Sequence, residues 1–384
     1  MNEYDYIVIG GGIAGASIAY RLAPEGSVMV LEGEEQPGYH TTGRSVAVHT
    51  DSYGPEAMRK LSKASGDFII QPPEGFSEVP LQHPLGIVFV ATDDQKEDLL
   101  AFLQSVQALS PDIQEISIDR VVEMVPVMKR ELLAAAFYDK NTIGMDVSAI
   151  HQGYLRGTKK HGGEVICRAQ VQGLEKNGGL WQVESTAGRF GAPVIINAAG
   201  AWADVVADMA GTRRINIVPK RRTCIAFHGP EGMDVDGWPG IIDIHENYYF
   251  KPDAGILIGS LGDETPDMPC DVQPHEMDVA LTVDRIENAT SLEINRLIRK
   301  WAGLRCFVED RLAVIGYAPD TEGFFWCAAQ GGYGIATSPA LGHCAANLVL
   351  GRDFPDEVLE QGIKSDDLAP QRLWNDNNPA VNPG

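Results

Sequence analysis

The stretch YDYIVIGGGIAGASIAYRLAPEGSVMVLEGEE, residues 4–35, places three consecutive glycines between two short apolar runs. Residues 6–9 and 27–31 have the length and composition of buried strands, and residues 13–23 have those of a helix. This order predicts a βαβ unit, in which the two strands are parallel and the helix crosses between them.

The glycines in this turn have the spacing Gly10-x-Gly12-x-x-Gly15. Gly10 permits a tight turn, Gly12 lets the main chain approach a pyrophosphate, and Gly15 lets the helix pack closely on the strand. The first helical residues, Ile13 and Ala14, would present N–H groups and the positive end of the helix dipole to that anion. The spacing therefore predicts a dinucleotide site.

The residue at the end of the second strand indicates which dinucleotides fit. Glu32, followed by Gly33, is placed where a carboxylate accepts hydrogen bonds from ribose hydroxyls. A carboxylate there also repels a 2′-phosphate, which disfavours NADP. The motif alone does not distinguish NAD from FAD.

Three later segments favour FAD, because each can bring small or polar residues to the same site. The first can wrap a second phosphate, the second ends an apolar strand at residues 194–197, and the third opens the last long helix. The first segment contains Thr41, Thr42, Gly43, Arg44 and Ser45. The second contains Ala199, Gly200 and Trp202, and the third contains Gly331, Gly332, Tyr333, Gly334, Ile335 and Ala336.

Composition excludes several classes of protein. The chain has 384 residues, with 53 acidic and 31 basic side chains and a net charge of −22, so it should repel nucleic acid and anionic membrane surfaces. The start of the chain lacks a basic, apolar signal segment, and no apolar run reaches the ~20 residues of a membrane span. The six cysteines and nine histidines form no metal-binding spacing. We expect a cytoplasmic protein with no metal and no integral membrane segment.

Parallel-sheet patterns occur at residues 5–31, 164–200 and 311–350, and the stretches between them look antiparallel. The predicted fold is α/β, a Rossmann-like FAD-binding domain interrupted by a mainly antiparallel α+β substrate-binding domain. The first domain would comprise residues 1–78, 146–217 and 310–384, and the second residues 79–145 and 218–309. Between residues 278 and 307 the sequence predicts a helix and then a turn around Trp301.

Longer strings carry a family resemblance that covers residues 6–350. They include PGYHTTGRS at 37–45, HQGYLRG at 151–157, PKRR at 219–222, WAGLR at 301–305 and AQGGYGI at 329–335. In these strings the sequence resembles the D-amino acid oxidase (DAO) superfamily, and within it the bacterial FAD-dependent D-arginine dehydrogenases.

The resemblance implies a non-covalent FAD and the oxidation of a D-amino acid to an imino acid, which hydrolyses to a 2-oxo acid and ammonia. Hydride would pass from Cα of a neutral amine to flavin N5, so no strong protein base is expected. It also implies an electron acceptor other than O2, such as a quinone. If that acceptor is in the inner membrane, the protein could associate with the surface of that membrane.

The resemblance also assigns site residues. Arg222 and Arg305 match the family's substrate-carboxylate clamp, and Tyr53 and Tyr249 match its active-site tyrosines. Guanidinium groups suit a carboxylate because they bind it bidentately and stay charged. The resemblance also places Val171 at the cofactor and Gly332 at both the cofactor and the substrate.

Three positions depart from the family pattern. Ile87 replaces a glutamate that grips the guanidinium of the substrate, Val48 replaces a histidine beside the flavin, and Ala336 replaces a glutamine. The loss at Ile87 predicts a preference for neutral or apolar over cationic side chains. His49, next to Val48, is a candidate substitute for the histidine, although a regular strand would point it away. Asp51 or Glu246 could supply the missing charge, which leaves a basic substrate open.

Other activities remain compatible with these residues. A secondary-amine or glycine oxidase, of the sarcosine-oxidising kind, is one alternative, and a 2-hydroxy acid dehydrogenase is another. A non-catalytic flavin-binding subunit is disfavoured by the retained pair Arg222 and Arg305.

Overall fold

The computed structural model describes residues 2–374. Its strands, in chain order, are β1 Asn2–Glu3, β2 Tyr6–Ile9, β3 Val28–Leu31, β4 Val48–His49, β5 Gln82–Pro84, β6 Ile87–Ala91, β7 Gln114–Glu115, β8 Ala135–Asp139, β9 Ile143–Met145, β10 Glu164–Ile166, β11 Val171–Asn177, β12 Leu180–Ser185, β13 Gly188–Ala192, β14 Val194–Asn197, β15 Val218–Phe227, β16 Gly240–Asp243, β17 Tyr249–Asp253, β18 Ile256–Ser260, β19 Thr265–Pro266, β20 Leu297–Phe307, β21 Val314–Tyr317 and β22 Phe324–Ala328.

The α-helices are α1 Ile13–Leu22, α2 Glu56–Ile70, α3 Lys96–Gln107, α4 Ile118–Met124, α5 Val147–Lys160, α6 Ala203–Ala210, α7 Glu276–Ala289, α8 Gly334–Val349, α9 Asp356–Leu359 and α10 Ser365–Leu368.

A six-stranded sheet with the order β10-β3-β2-β14-β22-β21 carries the opening motif. Its strands are parallel except β21, which runs antiparallel to β22 at the edge. Strands β2, β3 and β14 read as continuous apolar runs because both faces of the sheet are covered. One face packs on α1, α2 and α8, and the other on α6 and a four-stranded sheet of order β1-β13-β12-β11.

Helix α1 lies very close to the strand before it, and a glycine makes this possible. A Cβ added at Gly15 would stand 1.9 Å from the carbonyl oxygen of Gly10 and 3.1 Å from Cγ1 of Val8. No side chain fits in that space. The approach places the first turn of α1 directly above the carboxyl ends of β2 and β14.

A nine-stranded sheet forms the second layer of the molecule. Its strand order is β19-β15-β18-β17-β16-β6-β8-β7, with β20 also paired to β15. Its pairs are antiparallel except the parallel pair of β6 and β16. One apolar cluster contains Phe250 of the sheet and Ile286 of α7. A separate cluster contains Phe89 of the sheet and Leu99 of α3.

The sequence-based prediction of the α/β class is confirmed, with two local errors. The parallel pattern predicted for residues 164–200 holds for β10 and β14, whereas β11, β12 and β13 pair with one another in antiparallel fashion. Strand β20 runs without a break through Trp301, where we predicted a turn. The chain stays extended because Trp301 Nε1 donates to the carbonyl of Arg44 at 3.0 Å and the strand pairs with β15 along its length.

The strands of the six-stranded sheet all fall inside the intervals assigned to the FAD-binding domain, and those of the nine-stranded sheet fall inside the substrate-binding intervals. The division into two domains nevertheless stays a prediction. Its last interval, 310–384, extends beyond the described residues. Between residues 2 and 374, no helix has both the length and the apolar character to cross a bilayer.

We predict that Gly15→Ala lowers the free energy of unfolding by about 1–3 kcal/mol, because the added methyl must push α1 off β2. Thermal unfolding of the protein freed of cofactor would measure this loss. Gly173→Ala is the matched control, since a Cβ there meets side-chain atoms only at an ordinary 3.9 Å. Equal melting temperatures for the two variants would contradict the packing argument.

Candidate active site

One elongated cavity of about 510 Å³ extends from the carboxyl ends of the parallel strands to the inner face of the nine-stranded sheet. It is lined by nearly all of the residues that the sequence predicted for cofactor and substrate. The exceptions are Gly15, Gly43 and His49. The lining residues among the predicted set are Gly10, Gly12, Ile13, Ala14, Glu32, Gly33, Thr41, Thr42, Arg44, Ser45, Val48, Tyr53, Ile87, Val171, Ala199, Gly200, Trp202, Arg222, Tyr249, Arg305, Gly331, Gly332, Tyr333, Gly334, Ile335 and Ala336.

The end of the cavity at β2 has the features of a dinucleotide cradle. Gly10 has φ +105°, and a Cβ there would stand 2.4 Å from the carbonyl oxygen of Ala198, so only glycine fits. Gly12 caps α1 and has no side chain to cover the helix start, although the N–H of Ile13 is already bonded to Thr42 Oγ1. The Glu32 carboxylate lines the cavity and accepts from Gly11 N and Glu34 N, both at 2.9 Å.

The segment from Thr41 to Ser45 lies against this cradle. Thr42 Oγ1 accepts from Ile13 N at 3.0 Å, and Thr41 Oγ1 donates to the carbonyl of Leu304 at 2.7 Å. The Arg44 guanidinium pairs with Asp271 and also donates to two main-chain carbonyls. The segment therefore joins the two sheets at the cavity.

Gly43 and Gly15 serve the cavity from outside its wall. Gly43 N donates to the carbonyl of Gly38 at 2.7 Å, and a Cβ on Gly43 would meet that oxygen at 2.6 Å. Both glycines thus permit close main-chain packing beside the cofactor site and do not face it.

The loop before α8 brings main chain and one buried amide to the cavity. Gly331 has φ +56°, and a Cβ on Gly332 would stand 1.7 Å from Nη2 of Arg305. Gln330 is 8% exposed, and its Nε2 has no hydrogen-bond acceptor within residues 2–374. An orphaned donor beside the start of a helix fits the carbonyl groups of a flavin. The residues present therefore fit FAD: the start of α1 would hold the pyrophosphate, and residues 330–336 would hold the flavin ring.

The two predicted arginines meet at the other end of the cavity. They lie on neighbouring strands, Arg222 on β15 and Arg305 on β20, and both are buried. Arg305 Nη2 donates to Tyr53 Oη at 3.1 Å, and Tyr53 Oη donates to Glu246 Oε2 at 2.8 Å. Arg222 Nη1 donates to the same Glu246 oxygen at 3.3 Å.

One nitrogen of this cluster has no partner. Arg222 Nη2 is buried, makes no hydrogen bond within the described residues, and lies 3.7 Å from Glu264 Oε1, too far to bond well. Arg222 Nε, in contrast, donates to the carbonyl of Asp263 at 2.9 Å. A buried guanidinium in a cavity wall that still has one nitrogen without a hydrogen bond is suited to an acid group of a ligand.

The two tyrosines remain protonated donors. Burial raises the pKa of both Tyr53 and Tyr249 above the ordinary value. Tyr249 Oη lies 3.7 Å from Sγ of Cys224, which also lines the cavity, and burial raises the pKa of that thiol to about 11. The cluster therefore offers neutral hydroxyl and thiol groups beside two permanent positive charges.

Neither acid that was considered as a substitute for the family glutamate stands free beside Ile87. Glu246 is engaged with Tyr53 and Arg222. Asp51 accepts from Ser110 Oγ at 2.9 Å, does not line the cavity, and has its pKa raised, chiefly by burial. Ile87 itself is 3% exposed and lines the cavity.

His49 is directed away from the cavity, so its placement does not support a contact with flavin or substrate. The alternation of the strand puts Val48 on the cavity and His49 against α2, where Nδ1 lies 3.2 Å from Ser62 Oγ. Burial lowers its pKa to about 4, with Asp139 opposing the shift. The histidine that we considered as a substitute is a neutral core residue.

Sequence reasoning missed several cavity residues. Thr50, Gly240, Ile242 and Lys251 all line the cavity and lie next to predicted site residues in the strands. Period-2 alternation from Tyr249 would have placed Lys251 on the same face. No comparable pattern pointed to Gly240, since a glycine at the start of a strand does not indicate which face of the sheet its position belongs to.

We predict that His49→Gln flattens the acid side of the stability profile. The folded-state pKa is depressed, so the unfolded state binds more protons below pH 6.5, and wild-type stability falls as pH drops from about 6.5 to about 4. The full shift corresponds to roughly 3 kcal/mol. Denaturant unfolding at a series of pH values measures the slope. A wild-type slope retained by the variant would contradict this assignment.

Comparisons with known proteins identify the family of the chain. The family model for FAD dependent oxidoreductases (DAO) matches residues 5–348. A glycine oxidase from Bacillus licheniformis is 23% identical over 373 residues, covering 94% of this chain and 96% of that protein. The narrower resemblance to D-arginine dehydrogenases is not shown by these matches and stays a prediction.

Two solved structures share the fold. The L-proline dehydrogenase from P. horikoshii has a TM-score of 0.81 at 21% identity, covering 97% of this chain and 98% of that one. The L-alpha-glycerophosphate oxidase from Mycoplasma pneumoniae, with FAD bound, has a TM-score of 0.82 at 17% identity, covering 91% and 95%. The chain belongs to the DAO family of FAD-dependent oxidoreductases, and its cofactor is FAD.

Proposed function

We propose that the protein oxidises the amine of D-amino acids, preferring neutral or apolar side chains over cationic ones. One observation carries this proposal. Two buried guanidiniums, Arg222 and Arg305, line the cavity that fits FAD, and Nη2 of Arg222 makes no hydrogen bond within the described residues. An α-carboxylate is the group that best matches such a pair.

The residues at this end of the cavity would each have a binding or orienting task. Arg222 and Arg305 hold the carboxylate, while the Tyr53 hydroxyl bridges Arg305 to Glu246 and fixes the position of both. Tyr249 and Tyr333 add apolar walls that exclude water. Held at its carboxylate, the substrate can present Cα toward the loop at residues 330–336.

Bound FAD supplies the hydride acceptor in this family of reactions. The protein would bind the substrate as a neutral amine, whose lone pair assists the departure of the Cα hydrogen. The acids that line the cavity within the described chain are Glu32 and Glu34, both at the dinucleotide end. A carboxylate base beside Arg222 is therefore not part of the proposal. The electron acceptor is proposed to be a compound other than O2, such as a quinone.

The preference for uncharged side chains rests on Ile87. A buried isoleucine gives a cationic head no partner, and a charge buried without a partner is costly. The resemblance to D-arginine dehydrogenases therefore supports the reaction and the D configuration, whereas Ile87 argues against their substrate.

A second candidate is the oxidation of glycine or a secondary amine. It is favoured by the similarity to a glycine oxidase and to an L-proline dehydrogenase. Both classes of substrate carry the carboxylate that the arginine pair would hold, so the clamp alone does not separate them from D-amino acids.

An anaerobic substrate panel tests the proposal. We expect the visible flavin absorbance to bleach with D-leucine, D-methionine and D-alanine, and to change little with the L-isomers, sarcosine, glycine or 2-hydroxy acids. Bleaching mainly by glycine or sarcosine would instead establish the second candidate. Bleaching mainly by D-arginine would show that the argument from Ile87 is wrong.

Ile87→Glu should shift the preference toward cationic side chains. A carboxylate at this buried position rewards a guanidinium or ammonium group, so kcat/KM for D-arginine should rise at least tenfold while that for D-leucine falls. Ile87→Gln is the matched control, because it adds polarity without charge. An identical response of both variants would rule out an electrostatic origin.

Arg222→Lys should raise KM by about 10- to 100-fold, because an ammonium cannot reproduce the bidentate edge of a guanidinium. Its neighbour offers a control: Arg221 points out of the cavity and pairs with Asp267 and Asp278. Arg221→Lys should lower stability and leave KM within about threefold. The proposal fails if both substitutions change KM equally.

A further inference from the structure

Four residues form a straight row across the middle of the nine-stranded sheet. Strands β17, β16, β6 and β8 are successive neighbours, and their registers pair Gly240 with Ile87 and Ile87 with Asp139. The pairing of Ile241 with Phe250 sets Lys251 beside Gly240 at the other end. Directly opposed residues point to the same face of a sheet, about 5 Å apart.

The row is interrupted at Gly240, where the side chain is missing. A Cβ at this position would lie 3.5 Å from Ile87 Cγ1 and 3.5 Å from Lys251 Cβ, which are ordinary contact distances. Gly240 also lines the cavity. The space over Gly240 is therefore a notch between two side chains, open to the cavity and closed below by main chain.

The walls of this notch are apolar. Leu85, Ile87 and Ile242 line the cavity around it, and Tyr249 lies opposite Ile242 in the sheet. The stem of Lys251 forms the remaining side, since its Cβ faces Gly240. Apolar surface of this kind favours a hydrocarbon or aromatic group.

The charged groups at the ends of the row already have partners. Lys251 Nζ is 3.0 Å from Asp253 Oδ1. Asp139 Oδ2 accepts from Thr50, Ser52 and Thr142 at 2.8, 2.8 and 3.0 Å, and Asp139 does not line the cavity. Neither charge is free to reward an ionic group in the notch.

We infer that the notch over Gly240 is the subsite for the substrate's side chain, and that it takes large uncharged groups, branched or aromatic. Gly240 sets the size limit of this subsite, and Ile87 sets its polarity. The inference rests on the proposed function for the orientation of the substrate, whose carboxylate lies at Arg222.

Binding of simple carboxylic acids tests the size limit without any turnover. Propanoate, 4-methylpentanoate and 3-phenylpropanoate carry the side chains of alanine, leucine and phenylalanine on a carboxylate, and each can be titrated against the visible flavin spectrum of the holoenzyme. We expect the wild-type protein to bind the two larger acids at least tenfold more tightly than propanoate.

The variants then assign the effect to the notch. Gly240→Val should remove that advantage, weakening the larger acids tenfold or more and changing propanoate less than threefold, while Gly240→Ala should fall between. Gly237→Ala is the matched control, because Gly237 is an exposed glycine near the start of the same strand with no atom within 4 Å of its Cβ position. It should bind all three acids as the wild type does.

The outcomes separate this inference from the proposed function. Equal binding of the three acids by the wild type, or a uniform loss in Gly240→Val, would overturn the subsite even if D-amino acids bleach the flavin. Selective loss of the larger acids would support the subsite even if the substrate panel shows that glycine is the preferred reductant.

Discussion

The site depends on two like charges that are buried close together. Both arginines are bonded to the pair of Tyr53 and Glu246. Burial and the positive potential of Arg222 act to lower the pKa of Arg305, but the neighbouring Tyr53 and Glu246 outweigh them and the pKa is raised. Such a pair is stable only when the surrounding groups supply negative charge and acceptors. Glu246, the Tyr53 hydroxyl and the carbonyl of Asp263 do so here. Nη2 of Arg222 makes no hydrogen bond within the described residues, although the Glu264 carboxylate lies 3.7 Å away.

The fold holds that pair in place through strand pairing. Strands β15 and β20 form a long antiparallel ladder, in which Arg222 opposes Gly303 and Arg305 opposes Lys220. Around it, Glu264 accepts from Lys220 and from both terminal nitrogens of Arg311. The Arg311 hydrogen bonds hold the pKa of Glu264 down at about 2, so this carboxylate stays charged beside Arg222 at any physiological pH. The positions of the arginines are thus set by a rigid sheet and by ion pairs behind it.

The sequence predicted those parts of the molecule in which local pattern and chemistry coincide. The opening glycines, the apolar strands and Glu32 each have a single physical explanation, and the structure brings them to one cavity. The sequence-based prediction failed where pairing between distant segments of the chain determines the local structure. Trp301 lies in a strand because of a partner some 80 residues away in the chain. The positions of Gly240 and Asp139 on either side of Ile87 follow only from the register of neighbouring strands. The role of His49 stayed open in the sequence for a related reason, since which of Val48 and His49 faces the cavity depends on a two-residue strand.

The Glu246 carboxylate has a consequence for ligand affinity. One of its oxygens already accepts hydrogen bonds from Arg222 and Tyr53. The backbone of Glu246 has a left-handed conformation, φ +56°, which residues other than glycine rarely adopt. Under the proposed function, a substrate carboxylate would share Arg222 with this internal anion, so part of its interaction with Arg222 would offset the existing ion pair. Such sharing would weaken the binding of the substrate and speed the release of an acid product.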